Sequence, residues 1–280
     1  MTMWNWGQLP THGIYPGVSH DDYHAHPAVS KSGLDRINQS PAHFRAYLDG
    51  KDKDTDAKRK GRLCHMAILE PARFETEAVV APDINRRTNA GKAEWEKWQK
   101  LHVGCEIIED QAEADMIRSI QASVLSHKTA GALLSYQGQT EVSAFWADQE
   151  TGISCRCRPD KMLGGGVIID LKSARDASPR GFVRAVAEHR YYVQQAFYLD
   201  GFTAAGGCAD TFIFIAFEKE PPFAVCCHQL QPEDVEEGRR AYRRNLETLA
   251  RCRADNRWPS YADDIVQITL PAWARKEMRI

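Results

Sequence analysis

Two aspartates and a lysine carry the strongest chemical signal in this chain. Asp160 follows Pro159, and nine residues further on Asp170 opens the run Asp170-Leu171-Lys172. Gly164-Gly165-Gly166 lies between them, so the segment reads as strand, glycine turn, strand. Such an antiparallel hairpin brings the two carboxylates together. Asp170 and Lys172 are two apart on one strand and point to the same face. Paired carboxylates suit a hard divalent cation, and both Mg²⁺ and Mn²⁺ accept such ligands. A lysine beside them orients or deprotonates a water at that ion, or neutralises charge developing on a phosphate. Val167-Ile168-Ile169 makes this an apolar, buried strand. Two acids and a lysine at its end are costly unless they are paired or hold a metal.

The elements that must position these groups can be read from periodicity. Strands are expected at Glu141 to Ala147, Ser154 to Met162 and Val167 to Lys172, and again at Thr211–Phe217 and Ala224–Gln229. Before them, Ser30 caps a helix that Pro41 divides in two, a charged loop runs over 49–60, and Arg59 to Glu70 forms a helix. Further helices are expected at about 90–101 and 110–126, then at 179–188, 191–205 and 232–254. Residues 1–29 lack periodicity and read as an irregular lead-in; residues 30–280 read as one domain. Helices on both sides of a strand block give an α/β (α+β) layered fold.

Composition narrows the partners. The chain has 280 residues, 43% hydrophobic and 26% charged, with a net charge of −2. That balance is globular and argues against a passive protein that coats DNA by bulk charge. No uncharged apolar run is long enough to span a membrane, and no secretory signal is visible at Met1 to Gly7, so the expected location is cytoplasmic. The eight cysteines include Cys155/Cys157 and Cys226/Cys227, neither with zinc or iron–sulfur spacing, and read as free thiols.

The motifs together resemble the PD-(D/E)xK nuclease superfamily. Pro159-Asp160, nine residues and Asp170-Leu171-Lys172 match its signature. Gly61-Arg62-Leu63-Cys64-His65 resembles the GxxxH helix of its RecB-like branch, and Gln194-Gln195-Ala196-Phe197-Tyr198 resembles that branch's QxxxY motif. Tyr23-His24, Val29-Ser30-Lys31-Ser32, the run Asn85 to Lys92, Cys155 to Lys161 and Trp258-Pro259 are similar to the C-terminal nuclease domain of RecE-type exonucleases (the exonuclease VIII family). The resemblance implies a restriction-endonuclease-like core with a central mixed sheet flanked by helices. It implies a Mg²⁺-dependent enzyme digesting double-stranded DNA from its ends, 5′→3′, leaving 3′ single strands for recombination. Two ions per site and no iron–sulfur cluster, a phage-type single-strand annealing protein as companion, and a ring-shaped homo-oligomer follow from the same resemblance. A structure-specific endonuclease and a non-catalytic recombination scaffold are the alternatives.

Roles follow residue by residue. Asp160 and Asp170 are expected to hold metal with His65, and Lys172 is the catalytic lysine. Gln194 either binds the scissile strand or holds Lys172. Tyr198, one turn on, joins the site or packs in the core. Glu141 is either a further carboxylate near the metals or a solvated strand end, and Glu70, before Pro71, ends its helix. Ser30, Lys31, Arg86 and Arg87 are candidates for phosphate contacts, the arginine pair for a terminal phosphate. Arg239, Arg240, Arg243, Arg244 and Arg251 lie in one helix with Glu236, Glu237 and Glu247, and read first as a solvated or subunit face, second as a DNA track.

Overall fold

The computed structural model describes residues 11–50 and 55–271. The first ten residues of the expected lead-in, residues 51–54 of the expected charged loop and the end of the chain lie outside the described residues. The order begins with β1 (Gly13–Tyr15), α1 (His20–Ala25), α2 (Lys31–Gln39), α3 (Pro41–Asp49), α4 (Asp56–Leu69) and α5 (Pro71–Glu77). A parallel pair, β2 (Ala78–Val80) and β3 (Glu106–Ile108), brackets α6 (Asn89–Leu101). Next come α7 (Gln111–Ser126), α8 (Lys128–Ser135), β4 (Gly138–Thr140), β5 (Ser143–Ala147), β6 (Ser154–Cys157), β7 (Lys161–Leu163) and β8 (Val167–Ala174). Then α9 (Pro179–Glu188), α10 (Tyr191–Ala204), β9 (Thr211–Glu218), β10 (Val225–His228) and α11 (Pro232–Asp255) complete it.

The main sheet has the order β10-β9-β8-β7-β4, with β8 and β9 parallel and the other pairs antiparallel. A second sheet has the order β1-β5-β6. Alternation along β8 sorts its side chains between two cores. Ile168 joins Phe212, Phe214 and residues of α2, α9, α10 and α11, while Ile169 and Leu171 join Ile215, Phe217 and residues of α4 and α7. Helices therefore cover both faces of a central mixed sheet, the architecture expected from the sequence.

Helix limits follow local chemistry. Ser40 ends α2 and caps α3, its hydroxyl accepting from His43 N at 3.3 Å, with Pro41 in the first turn where a missing N–H costs nothing. Asp110 caps α7 by accepting from Glu113 N at 2.8 Å. Glu70 ends α4, as expected, and its side chain pairs with Arg73 at 3.0 Å.

Two expectations change. Residues 13–25 form β1 and α1 rather than an irregular lead-in. Tyr23 of α1 is buried against Phe145 and stacks under the Arg156 and Arg158 guanidinium groups, so order there comes from tertiary contact, not periodicity. The expected strand Ser154 to Met162 is two strands in different sheets, β6 and β7, broken at Arg158-Pro159-Asp160. The arginines of α11 are engaged with acids: Arg239 with Asp200 and Glu236, Arg240 with Glu237, and Arg243 with Asp148 and Glu150. Arg239 ties α11 to α10 and Arg243 ties it to the chain after β5, while Arg240 pairs within α11 on an exposed face.

Gly201 of α10 lies against the indole of Trp146 on β5; a Cβ there would come within 2.3 Å of the ring. Gly201→Ala is expected to cost about 1–3 kcal/mol through overpacking. An unchanged denaturant midpoint would show that the α10–β5 contact is slack.

Candidate active site

The break between β6 and β7 builds the site. β7 pairs with β8 through Lys161↔Ile169 and Met162↔Ile168. Continuing that register sets Asp160 opposite Asp170, where the chain leaves β8 for the other sheet. Leu171 N–H on β8 thereby loses a strand partner, and Asp160 Oδ2 accepts from it instead at 2.6 Å. The turn that returns the chain carries Gly165 and Gly166 at φ 75° and 82°, a backbone that glycine adopts without strain.

His65 projects from α4 and places Nδ1 3.3 Å from Asp160 Oδ1. On β8, Lys172 Nζ forms an ion pair with Asp170 Oδ2, and Asp170 Oδ1 accepts from Gln194 Nε2 of α10 at 2.6 Å. Asp170 Oδ2 is buried and accepts no aligned hydrogen bond. The Asp170 side chain is 3% exposed, against 16% for Lys172, 17% for Asp160 and 28% for His65, so Asp170 is the most enclosed of the four.

Burial pushes the Asp170 carboxyl up to about 6, with the like charge of Asp160 outweighing part of the pull of Lys172. Asp160 is driven up by burial as well, but His65, Lys172 and the Leu171 N–H together hold it below the usual carboxylate range. Burial opposes the charged forms of Lys172 and His65, yet the carboxylates beside them hold both above their ordinary values. Lys172 is thus an ammonium, and its value here is its charge.

The raised Asp170 value has a consequence for the metal-free protein. The folded state holds this proton more tightly than the unfolded chain, whose carboxylate titrates near 3.9. Stability from the group is full below about 3.9 and is lost as pH rises through about 6. In EDTA, the wild type should lose urea stability between about pH 4 and 6.5 relative to Asp170→Asn. Parallel profiles for the two proteins would contradict this.

The donors suit a divalent cation chemically: two carboxylates and an imidazole. They are not a ready-made cage, however. Among the described residues no three His, Cys, Asp or Glu side chains close to metal-ligand distance in this arrangement. Lys172 serves as the counter-ion of Asp170, so a cation held by Asp160, Asp170 and His65 would displace or share that contact.

Other expected residues fall as follows. Gln194 holds Asp170 and not Lys172. Tyr198 is largely enclosed, edge-on to Phe212 at 6.1 Å, with its hydroxyl held far from ionisation chiefly by burial. Glu141 is not on a strand: it precedes β5 with a left-handed φ of 48°, its N–H donates to Asp160 O at 3.0 Å, and its carboxylate lies 3.7 Å from Arg158. Ser30 caps α2, accepting from Gly33 N at 3.4 Å. Lys31 donates to His189 O at 2.6 Å and pairs with Asp35 at 2.8 Å. Arg86 and Arg87 lie on the loop between β2 and α6, where the Arg86 guanidinium stacks on Trp95 at 3.6 Å and Arg87 N–H donates to Asn85 Oδ1 at 3.1 Å. All eight cysteines are free thiols. No described helix is long and apolar enough to cross a membrane.

The sequence reading passed over Tyr191, which starts α10 and lies with its ring centroid 4.8 Å from Lys172 Nζ. Its spacing of three from Gln194 was the available signal, since both fall on one helix face.

A mixed sheet flanked by helices, with Asp160 facing Asp170 and Lys172 at the splayed end of a hairpin, defines a PD-(D/E)xK-type domain, a class that generally uses divalent metal ions. The chain belongs to the family of the PDDEXK-like domain of unknown function (DUF3799), whose model matches residues 30–270. A solved structure of a candidate exonuclease from Eubacterium rectale is similar at 13% identity and a TM-score of 0.59, over 92% of this chain and 97% of that one. At that identity the likeness shows a shared fold. A phage-related exonuclease from Haemophilus somnus matches at 11% identity over 69% of this chain and 95% of that one, with a TM-score of 0.31. No curated protein matches the chain.

Proposed function

We propose that this protein is a Mg²⁺-dependent deoxyribonuclease that digests double-stranded DNA from its ends, 5′→3′, leaving 3′ single strands for annealing. The observation that carries the reading is the convergence of His65, Asp160, Asp170 and Lys172 in one cluster, from α4, the β6–β7 break and β8. His65, Asp160 and Asp170 would hold the divalent ions, two per site, with Mn²⁺ an acceptable substitute. Such ions supply charge neutralisation and an activated water for phosphodiester hydrolysis.

The chain's own groups supply the rest. Lys172 stays protonated beside two carboxylates, so it opposes charge on the scissile phosphate rather than accepting a proton. Gln194 fixes the Asp170 carboxylate through Oδ1, and an incoming cation would share Oδ2 with Lys172. Arg87, next to Arg86 on the α6 loop, is the group we assign to a terminal phosphate. Arg86 is engaged with Trp95, Lys31 with His189 and Asp35, and Ser30 with its helix cap, so these three act through positioning. A ring-shaped homo-oligomer and a single-strand annealing partner belong to the same proposal.

The test is digestion of a linear duplex labelled separately at each 5′ and 3′ end, with Mg²⁺ or EDTA, beside a closed circle. Mg²⁺-dependent loss from the 5′ ends with the circle intact is expected. Cutting of the circle would make the protein an endonuclease on the same core. Binding without product would make it a scaffold.

A further inference from the structure

Lys172 is backed by the Tyr191 ring, and the ring is itself fixed from several sides. The 4.8 Å separation of Nζ from the centroid is within the range where a ring face attracts an ammonium. Phe182 and Phe214 stack near-parallel to Tyr191 with centroids at 5.9 and 5.8 Å. Lys31 Nζ approaches the same ring at 6.0 Å. Lys31 is in turn tied to His189 O and to Asp35, and Asp35 Oδ1 accepts from Arg190 Nη1 at 2.8 Å. Arg190 has a left-handed φ of 54° and immediately precedes α10, so the Asp35 contact steadies the sharp turn that delivers Tyr191.

Gln194 follows Tyr191 by one helical turn on the same face. One face of α10 therefore meets both members of the Asp170–Lys172 pair, Gln194 at the carboxylate and Tyr191 at the ammonium. We infer that Tyr191 is a positioning residue for Lys172, its ring face holding the ammonium beside Asp170. The kinetic consequence rests on the nuclease reading; the placement of Lys172 does not.

Two substitutions separate the ring face from the hydroxyl and from packing volume. Tyr191→Phe keeps the face, and Tyr191→Leu keeps apolar bulk without it. With linear duplex, Tyr191→Leu should lower kcat by about 10–30-fold with KM unchanged, while Tyr191→Phe stays within about twofold. Carbon-13 labelling at lysine Cε reads the same contact without any cleavage. The Lys172 signal, assigned by its loss in Lys172→Met, should show an upfield ring-current shift in wild type and Tyr191→Phe, and lose it in Tyr191→Leu.

An unshifted Lys172 signal in the wild type would overturn the inference whatever the activity. Equal losses of kcat in both variants would overturn it too, since that would assign the effect to the hydroxyl. A wild type with a shifted Lys172 that cleaves no DNA would sink the nuclease reading and support the placement.

Discussion

Asp170→Asn is expected to lower the rate of DNA cleavage by at least about 10³-fold while the protein stays folded. The side chain keeps its shape, and Gln194 can still donate to the amide oxygen. What is lost is the negative charge at Oδ2, the buried oxygen that faces the Lys172 ammonium. Without it, divalent binding weakens and Lys172 loses its nearest counter-charge. Circular dichroism and a thermal midpoint control for folding. Calorimetric titration with Mg²⁺ should show weakened binding in the same variant, which separates a lost cation from a lost contact to DNA. Retained cleavage would remove Asp170 from the chemistry.

The second large effect concerns stability and comes from Lys172→Met. The Lys172 side chain is 16% exposed and neutralises two carboxylates that would otherwise face each other in a poorly solvated space. Removing one partner of a buried pair costs about 3–5 kcal/mol, because the remaining charge is left uncompensated. In EDTA at neutral pH the variant should therefore melt well below the wild type. Saturating Mg²⁺ supplies the missing positive charge, and a ligand present at about 100 times its Kd adds about 2.7 kcal/mol to stability. The Mg²⁺-induced rise in Tm should consequently be larger in Lys172→Met than in wild type. Equal rises would show that Lys172 and the cation do not compete for the same carboxylates.

The helical and strand framework was legible because its patterns are long. α7, α9, α10 and α11 lie within about a turn of their expected limits, and the antiparallel β7–β8 hairpin follows from the glycine turn between two apolar runs. The short elements were not legible. β1, β2, β3 and β4 have three residues each, too few for alternation to register, and their order comes from pairing partners distant in sequence. The break at Arg158-Pro159-Asp160 was hidden for a different reason. β6 and β7 each carry the strand signal, and nothing local shows that they belong to different sheets.

The site divides along the same line. Asp160, Asp170 and Lys172 could be singled out by their spacing and His65 through the resemblance of Gly61 to His65 to a GxxxH helix, and the fold brings the four together. Gln194 could be singled out too, but its partner could not, since the choice between Asp170 and Lys172 depends on how α10 lies across β8. Glu141 moved from strand to left-handed turn because its N–H is needed by Asp160 O at the break. Tyr191 carries no motif; its spacing of three from Gln194 is a weak signal that gains meaning from the 4.8 Å contact with Lys172.

Single-turnover cleavage of an end-labelled linear duplex by wild type and Asp170→Asn, each in Mg²⁺ and in EDTA, tests the metal-dependent centre most directly. Cleavage by the wild type in Mg²⁺ alone, absent from the other three reactions, is the expected result. Cleavage by the wild type in EDTA, or by Asp170→Asn at a rate near that of wild type, would contradict it.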